Sequence, residues 1–324
     1  MVLPLRRAVL AAALLLPLSL VAQGTSNGGP YAPLVLLLPS GARTLALGNT
    51  GVGGRDDDVV FFNPAQLVIA RAGFGGSIER YSATSAGGAL SAVTRFNNGG
   101  VGIGMRMVDY ETPTNLYPID RGTMLEPWPG NGTSLEAVVG VGQVIKGYRV
   151  GLAGKYVEDN APALRLTRGA VDLGVSKDFF GPYTFALAVQ NIGASTDVLC
   201  ANTQTCTSPP GNMFPNPTTP VYLPLRTTFG VQTQRPIKQI DLMATAAVFM
   251  LRADWVGASG GVEMGYSWLD GYSVALRAGA RSTLPGEAAF TGGAGFTMDR
   301  LSIDYALEAL TGSRFGQRIG LRIR

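Results

Sequence analysis

From residue 73 to the end of the chain, bulky apolar residues alternate with small or polar residues. Near the C-terminus, the bulky set is Leu301, Ile303, Tyr305 and Leu307, and the intervening set is Ser302, Asp304, Ala306 and Glu308. A period of two is typical of β-strands, whose successive side chains point to opposite faces. The chain is therefore predicted to be all-β, with strands that have two unlike faces.

About fourteen strands fit this alternation. They run roughly over residues 73–82, 86–96, 99–109, 134–146, 148–158, 165–178, 182–191, 222–235, 238–251, 258–268, 272–281, 287–297, 301–310 and 315–324. Every second connection is short, as at Lys146-Gly147, Arg235-Pro236-Ile237 and Leu269-Asp270-Gly271, which is typical of hairpins. The largest intervening connections span residues 110–133 and 192–221.

Alternation alone fits either a soluble sandwich or a membrane barrel, but the connections favour the barrel. Short turns at one end and long loops at the other are typical of outer-membrane barrels. In lipid every backbone amide needs a partner, and a closed barrel provides one. We therefore predict a transmembrane antiparallel β-barrel in contact with outer-membrane lipid. An even strand count would place both ends of the barrel at the periplasmic side.

Residues 1–24 have the pattern of a secretory signal peptide. Arg6 and Arg7 precede an apolar stretch that ends near Val21, and Ala22-Gln23-Gly24 offers small residues for cleavage. A transmembrane anchor is the alternative, although the stretch is short for a helix that needs about 20 residues.

Composition excludes several classes of function. The chain has no histidine, which removes the usual general base of hydrolases and the commonest metal ligand. Its 26 basic residues are dispersed and form no stripe for nucleic acid. We expect no enzyme activity, no cofactor, no metal site and no nucleic-acid partner.

Two cysteines, Cys200 and Cys206, lie close together in a polar stretch. In an exported protein such a pair predicts a loop disulfide, because a zinc site would need more ligands.

Charged residues recur on the face predicted to point into the barrel. A turn centred on Asp270 would place Glu263 opposite Arg277. A last hairpin centred near Gly312-Ser313 would place Glu308 opposite Arg318 and Asp304 opposite Arg322. Opposite charges across strands are favourable by roughly 0.2–1 kcal/mol. Two interpretations stay open: a polar lumen that selects a solute, or a charge network that fills and stiffens the lumen.

Residues 25–72 do not alternate and carry a series of short motifs. In order these are Gly41-Ala42-Arg43, Ala46-Leu47-Gly48-Asn49, Asp56-Asp57-Asp58 and Phe61-Phe62-Asn63-Pro64-Ala65-Gln66-Leu67. This order resembles the N-terminal signature of PorV/PorQ-type outer-membrane proteins, which are related to the FadL-type fatty acid transporters. Later motifs, among them Leu223-Pro224-Leu225-Arg226, extend the resemblance over nearly all of the predicted mature chain.

The resemblance implies a fourteen-stranded barrel over residues 73–324, with residues 25–72 folded inside the lumen as a hatch. Members of that family move hydrophobic compounds or receive exported proteins in type IX secretion. One feature departs from many outer-membrane barrels, which end in an aromatic residue. This chain ends Leu321-Arg322-Ile323-Arg324.

The acidic run Asp56 to Asp58 allows several interpretations. Its carboxylates would pair with lumen arginines, cap a short helix, or be solvated in a loop. Calcium would require more oxygen ligands than this run provides.

Two functions are therefore carried forward. The first is transport of a hydrophobic or small solute across the outer membrane. The second is a barrel that binds secretion-system or exported proteins, or that has a structural role.

Overall fold

The protein is described by a computed structural model dominated by β-strands. The structure describes residues 33–81, 85–112, 130–161, 164–194, 196–197, 220–252, 255–282, 288–310 and 314–324. Within these ranges, no helix is both long and apolar enough to cross a membrane. The predicted signal peptide and the predicted disulfide between Cys200 and Cys206 fall outside the described residues.

Fourteen antiparallel strands form a closed barrel, which confirms the predicted fold. The strands are β1 (Gly73–Arg80), β2 (Ala86–Phe96), β3 (Gly99–Thr112), β4 (Gly130–Ile145), β5 (Tyr148–Ala161), β6 (Leu164–Phe179), β7 (Tyr183–Ile192), β10 (Arg226–Ile237), β11 (Ile240–Leu251), β12 (Trp255–Leu269), β13 (Tyr272–Ser282), β14 (Ala288–Met298), β15 (Leu301–Leu310) and β16 (Arg314–Ile323). A separate two-stranded sheet joins β8 (Thr196–Asp197) to β9 (Pro220–Val221). Pairing of β1 with β16 closes the barrel.

The short connections lie together at one end of the barrel, here called the short-turn end. Gly147, Gly181 and Gly271 have φ angles of 78°, 84° and 80° in these turns, a conformation that glycine adopts without strain. One turn differs from the sequence prediction. Pro236 still pairs with Asp241, so the chain reverses at residues 238–239 rather than at residues 235–237. Proline is tolerated there because it is next to the end of its strand.

The two faces of the strands have opposite chemistry. Leu187, Ile303 and Leu321 are 39%, 43% and 44% exposed on the outside, whereas Asp304 and Glu308 are buried inside. A soluble sandwich would bury those three apolar residues between its sheets. A barrel with an apolar outer face instead matches an environment of lipid chains.

Residues 33–72, here called the N-terminal segment, contain little regular structure. They form one helical turn, α1 (Ala42–Ala46), and four 3₁₀ turns at Leu34–Leu37, Gly51–Gly53, Asp57–Phe61 and Pro64–Val68. The segment packs against glycines on strands all around the barrel, among them Gly102, Gly151, Gly230, Gly261 and Gly320. Because it contacts opposite sides of a closed wall, the segment lies within the lumen.

The segment crosses the lumen from one end to the other. The amide of Leu34 donates to Asp159 Oδ2 at 3.1 Å, and that of Val35 donates to Ser134 Oγ at 3.1 Å, both far from the short turns. At its other end, Arg71 precedes β1 at the short-turn end. The C-terminal residue Arg324 also lies there, since its amide donates to Arg300 O at 3.0 Å.

Apolar contacts fill the space between segment and wall. Val59, Val60, Phe61 and Leu67 form one buried cluster with wall residues, which are Val93, Val138 and Ala153. Burying a side chain of this size contributes about 1.5–3 kcal/mol. The segment is thus packed as part of the core of the barrel.

Candidate functional site

Six charged residues form a closed ring between the N-terminal segment and the barrel wall. Arg43 and Asp56 come from the segment; the wall supplies Glu263 of β12, Arg277 of β13, Asp304 of β15 and Arg322 of β16. Acids and bases alternate around this charge ring, so every member contacts two opposite charges.

Arg43 joins the segment to β12. Its Nε and Nη2 donate to Glu263 Oε2 and Oε1, each at 2.7 Å, while Nη1 donates to Asp56. Two parallel bonds to one carboxylate fix the orientation of a guanidinium group. Arg43 lies on α1, so this contact holds the helical turn against the wall.

The wall side of the ring continues through two arginines. Arg277 donates to Glu263 at 2.5 Å and to Asp304 at 2.7 Å. Arg322 contacts Asp304 at 2.5 Å and closes the ring on Asp56 at 2.5 Å. Charges buried in this way are tolerated only when they are paired, and loss of one partner is costly.

The ring controls the ionisation of Asp56. Burial alone would raise the pKa of its carboxyl group, but Arg322 and Arg43 outweigh burial and hold that pKa far below its usual range. Burial likewise opposes the charge of Arg43, yet Asp56 and Glu263 raise its pKa. Both residues are therefore charged at neutral pH.

Asp57 and Asp58 lack the arginine contacts of Asp56. Asp57 Oδ2 accepts from Ser91 Oγ at 2.5 Å, and Asp58 Oδ2 accepts from Thr44 Oγ1. Burial raises the pKa of both carboxyl groups, and for Asp58 the neighbouring acids help to raise it to about 7. Of the predicted roles for this run, pairing with lumen arginines is observed for Asp56 alone. Asp56 also precedes the turn Asp57–Phe61, but its side chain makes no capping hydrogen bond there.

Asn63, Pro64 and Ala65 form the start of the last 3₁₀ turn. Asn63 Oδ1 accepts from the amide of Ala65 at 3.0 Å, and Pro64 occupies the first position, where no N–H is needed. Asn63 Nδ2 donates to Val52 O at 3.0 Å. The motif therefore fixes both its own turn and the turn at Gly51–Gly53.

Glycines on the inner wall accommodate this motif. A Cβ atom at Gly174 would overlap Asn63 Oδ1, and one at Gly151 would overlap Pro64 and Ala65. Gly41 in the segment has a similar role, because a Cβ there would overlap Asp58 Oδ2.

A second charge network lies across the lumen from the ring, on β3 to β6. Lys155 Nζ lies 3.0 Å from Glu136 Oε1 and 2.8 Å from Asp172 Oδ2, and Glu136 also accepts from Arg106. Arg106 Nη1 in turn donates to Leu38 O of the segment at 2.8 Å. Charged groups of the wall thus hold the segment from two sides.

The three predicted lumen pairs have different outcomes. Glu263 and Arg277 are register partners in direct contact, and Asp304 contacts Arg322 diagonally, because its register partner is Gly320. The predicted pair Glu308–Arg318 is wrong. The last hairpin is displaced by two residues, so Glu308 lies opposite Gly316.

Each member of the wrong pair has another partner. Glu308 Oε1 contacts Arg281 Nη2 of β13 at 2.5 Å, and Arg318 pairs with Glu79 of β1, directly opposite in register. Arg318 is almost completely buried and also donates to Tyr81 at 3.1 Å. Closure of the barrel therefore supplies its partner.

Sequence reasoning missed the anchor of the segment at the end opposite the short turns. Asp159 Oδ1 accepts from the hydroxyl of Tyr110 at 2.6 Å while Oδ2 accepts from Leu34, and both side chains are buried. Alternation places Asp159 on the inner face, but nothing in the sequence connects it to Leu34. Among described residues, no group of three or more acidic or cysteine side chains is arranged to hold a metal ion.

The geometry has counterparts among solved structures. Over 88% of this chain and 97% of the other, the fold matches the toluene transporter TodX of Pseudomonas putida, with a TM-score of 0.54 and 13% identity. A FadL homologue of Pseudomonas aeruginosa matches over 91% of this chain and 99% of its own, with a TM-score of 0.55 and 10% identity. No protein-family model matches the chain, and no curated protein matches its sequence.

These likenesses concern the fold, since the identities are low. The chain is a transmembrane β-barrel with the architecture of outer-membrane barrels of the FadL and TodX type. TodX is a toluene transporter and a monoaromatic hydrocarbon channel, and the fold fits an outer-membrane location.

Proposed function

We propose that this protein carries hydrophobic or small solutes across the outer membrane, with residues 25–72 as a hatch and the charge ring as its latch. It is of the PorV/PorQ type. Residues 1–24 direct export and are then removed, and the short-turn end with Arg324 faces the periplasm.

The observation that carries this proposal is the position of the ring, which joins two residues of the segment to four of the wall. The strands of the wall are joined by continuous backbone pairing, whereas the segment is joined to the wall by side chains. Displacing the segment therefore breaks fewer backbone hydrogen bonds than parting two strands. The segment is the element whose movement would open a path.

Proteoliposomes provide the test. Purified protein is reconstituted, and the rates of entry of toluene, a long-chain fatty acid and a sugar are measured relative to protein-free liposomes, because toluene crosses a lipid bilayer without a protein. We expect the protein to raise the rate of entry of at least one of these solutes above that of protein-free liposomes. Arg43→Gln should increase entry, because it releases α1 from Glu263. Arg281→Gln is the matched control, since Arg281 pairs with Glu308 within the wall.

If neither wild type nor Arg43→Gln raises the entry rate of any of the three solutes above that of protein-free liposomes, the transport proposal is contradicted. That result would favour the secretion-associated or structural alternative, in which the long connections bind other proteins.

A further inference from the structure

A second polar site lies at the short-turn end, and its Arg71 is close enough to the charge ring to help lower the pKa of Asp56. It is a cavity of about 430 Å³ between the N-terminal segment and strands β6, β7, β10 and β11. Its polar lining includes Arg55, Arg71, Asp178, Thr184, Gln234 and Asp241. A space of this size admits several waters or a small organic molecule.

Neither arginine of this cavity forms a direct ion pair within the part of the chain that the structure describes. Among the described residues, no carboxylate oxygen lies within 4.0 Å of a guanidinium nitrogen of Arg55 or Arg71. Arg55 Nη2 lies 3.5 Å from Thr184 Oγ1, and its Nε is buried without a hydrogen-bond partner. The amide of Arg71 donates to Arg55 O at 2.8 Å, which keeps the two residues together.

The acids in the lining are already engaged. Both oxygens of Asp178 accept from Arg149 at 2.8 Å, and Thr184 donates to Asp178 as well. Asp241 accepts from the side-chain amide of Gln234 at 2.5 Å. Asp178 is therefore neutralised by Arg149, and Asp241 is the remaining acid of the lining. Outside the lining, Asp56 of the charge ring also acts on Arg71. With Arg149 counted against Asp178, the two arginines and Asp241 leave an excess of one positive charge.

A guanidinium group without a counter-ion in a partly enclosed space favours an anion. Arginine presents a planar set of donors that matches the oxygens of a carboxylate or phosphate group. We propose that this cavity binds a small anion with a carboxylate or phosphate group, held between Arg55 and Arg71. The inference goes beyond the proposed function, because binding here requires no passage through the barrel.

Calorimetric titration of the full-length protein at low ionic strength tests the site, with succinate and inorganic phosphate as probes. We expect saturable binding of at least one probe. Arg55→Gln and Arg71→Gln should each weaken it by about tenfold, because each removes a charge-assisted hydrogen bond. Asp241→Asn should strengthen it, because the opposing charge is removed.

Arg235→Gln is the matched control, because Arg235 is exposed on the outer face of the strand that carries Gln234. Heat-dependent migration on gels verifies that each variant is folded. Binding of neither probe, or equal weakening by Arg235→Gln, would overturn the proposal. Repetition in nanodiscs with anionic phospholipid separates two sources of phosphate. Unchanged affinity supports a free anion, and competition by the lipid contradicts it.

Discussion

Arg322 Nη1 on the last strand lies 2.5 Å from Asp56 Oδ1 in the N-terminal segment, although 266 positions separate the two residues. Asp56 also accepts from Arg43, so a single carboxylate joins α1, the strand that closes the barrel and the acidic run. This relationship makes Asp56 the first position at which to test how the segment is held.

Replacing Asp56 by asparagine should loosen the segment while the barrel stays closed. The change leaves Arg43 and Arg322 each short of one partner, and breaking a buried ion pair costs about 3–5 kcal/mol. Hydrogen exchange should become faster in α1 and at Asp57–Phe61, with the strand amides unchanged. Glu308→Gln is the control, because Glu308 is a buried acid whose arginine partner lies in the wall. If hydrogen exchange in the segment is equally slow in Asp56→Asn and in wild type, the charge ring does not hold the segment in place.

The pH dependence of the segment should be set by Asp58. Its carboxyl group has a pKa of about 7 when the segment is docked and 3.8 when the group is solvated, so the protonated form stabilises the docked segment. This stabilisation is complete at pH below 3.8. This contribution is lost as pH rises through 7. Between these values, the equilibrium for undocking should rise about tenfold per pH unit.

Hydrogen exchange between pH 5 and 8, corrected for intrinsic rates, measures this effect at α1. Asp57 shifts in the same direction, whereas Asp56 has a lowered pKa and stays ionised throughout this range. Asp58→Asn should therefore flatten the pH profile without removing it completely. An identical slope in Asp58→Asn and wild type would exclude Asp58 as the cause.

The close contact between wall glycines and the Asn63 motif can be tested on β5, which carries one glycine that touches the motif and one that does not. A methyl group at Gly151 would overlap the backbone of Pro64 and Ala65, whereas one at Gly154 would meet nothing within 4 Å. Overpacking of this kind costs about 1–3 kcal/mol. Gly151→Ala should therefore lower the melting temperature and speed exchange at residues 64–68, and Gly154→Ala should do neither. Similar behaviour of the two variants would contradict the packing described here.

The register of the last hairpin can be checked by double-mutant cycles. Replacing Arg318 and Glu79 by glutamine, singly and together, should give a coupling of about 0.5–3 kcal/mol in denaturant unfolding. The same cycle for Arg318 and Glu308 should give a smaller value, because these residues have separate partners. A larger coupling energy for Arg318 and Glu308 than for Arg318 and Glu79 would instead support the register predicted from the sequence, in which Glu308 lies opposite Arg318.

Local pattern explains which parts of the fold were predictable. Alternation assigned Ile303 and Leu321 to the outer face. This was possible because the pattern within a single strand is enough to distinguish its apolar face from its polar face. The pair Glu263–Arg277 followed from the nearby turn at Asp270, with a bulge between Ser267 and Leu269 in its register.

Contacts that depend on closure were not predictable in the same way. The partner of Arg318 is Glu79, which is distant in sequence and becomes its neighbour only when β1 meets β16. The sequence indicated acids and arginines in the lumen, but not that Arg43, Asp56 and four wall residues close into a ring. Nor did it indicate that Gly151 of β5 and Gly174 of β6 leave the space that Ala65 and Asn63 occupy.

The end-to-end course of residues 33–72 through the lumen has a consequence for biogenesis. Once β1 and β16 have paired, the segment can enter the lumen only through an open end of the barrel, past the side chains that line the wall. Docking of the segment before the barrel closes avoids this passage. In that order, the strands pair around a segment that already lies between them. Asp56 then receives Arg322 when the last strand arrives.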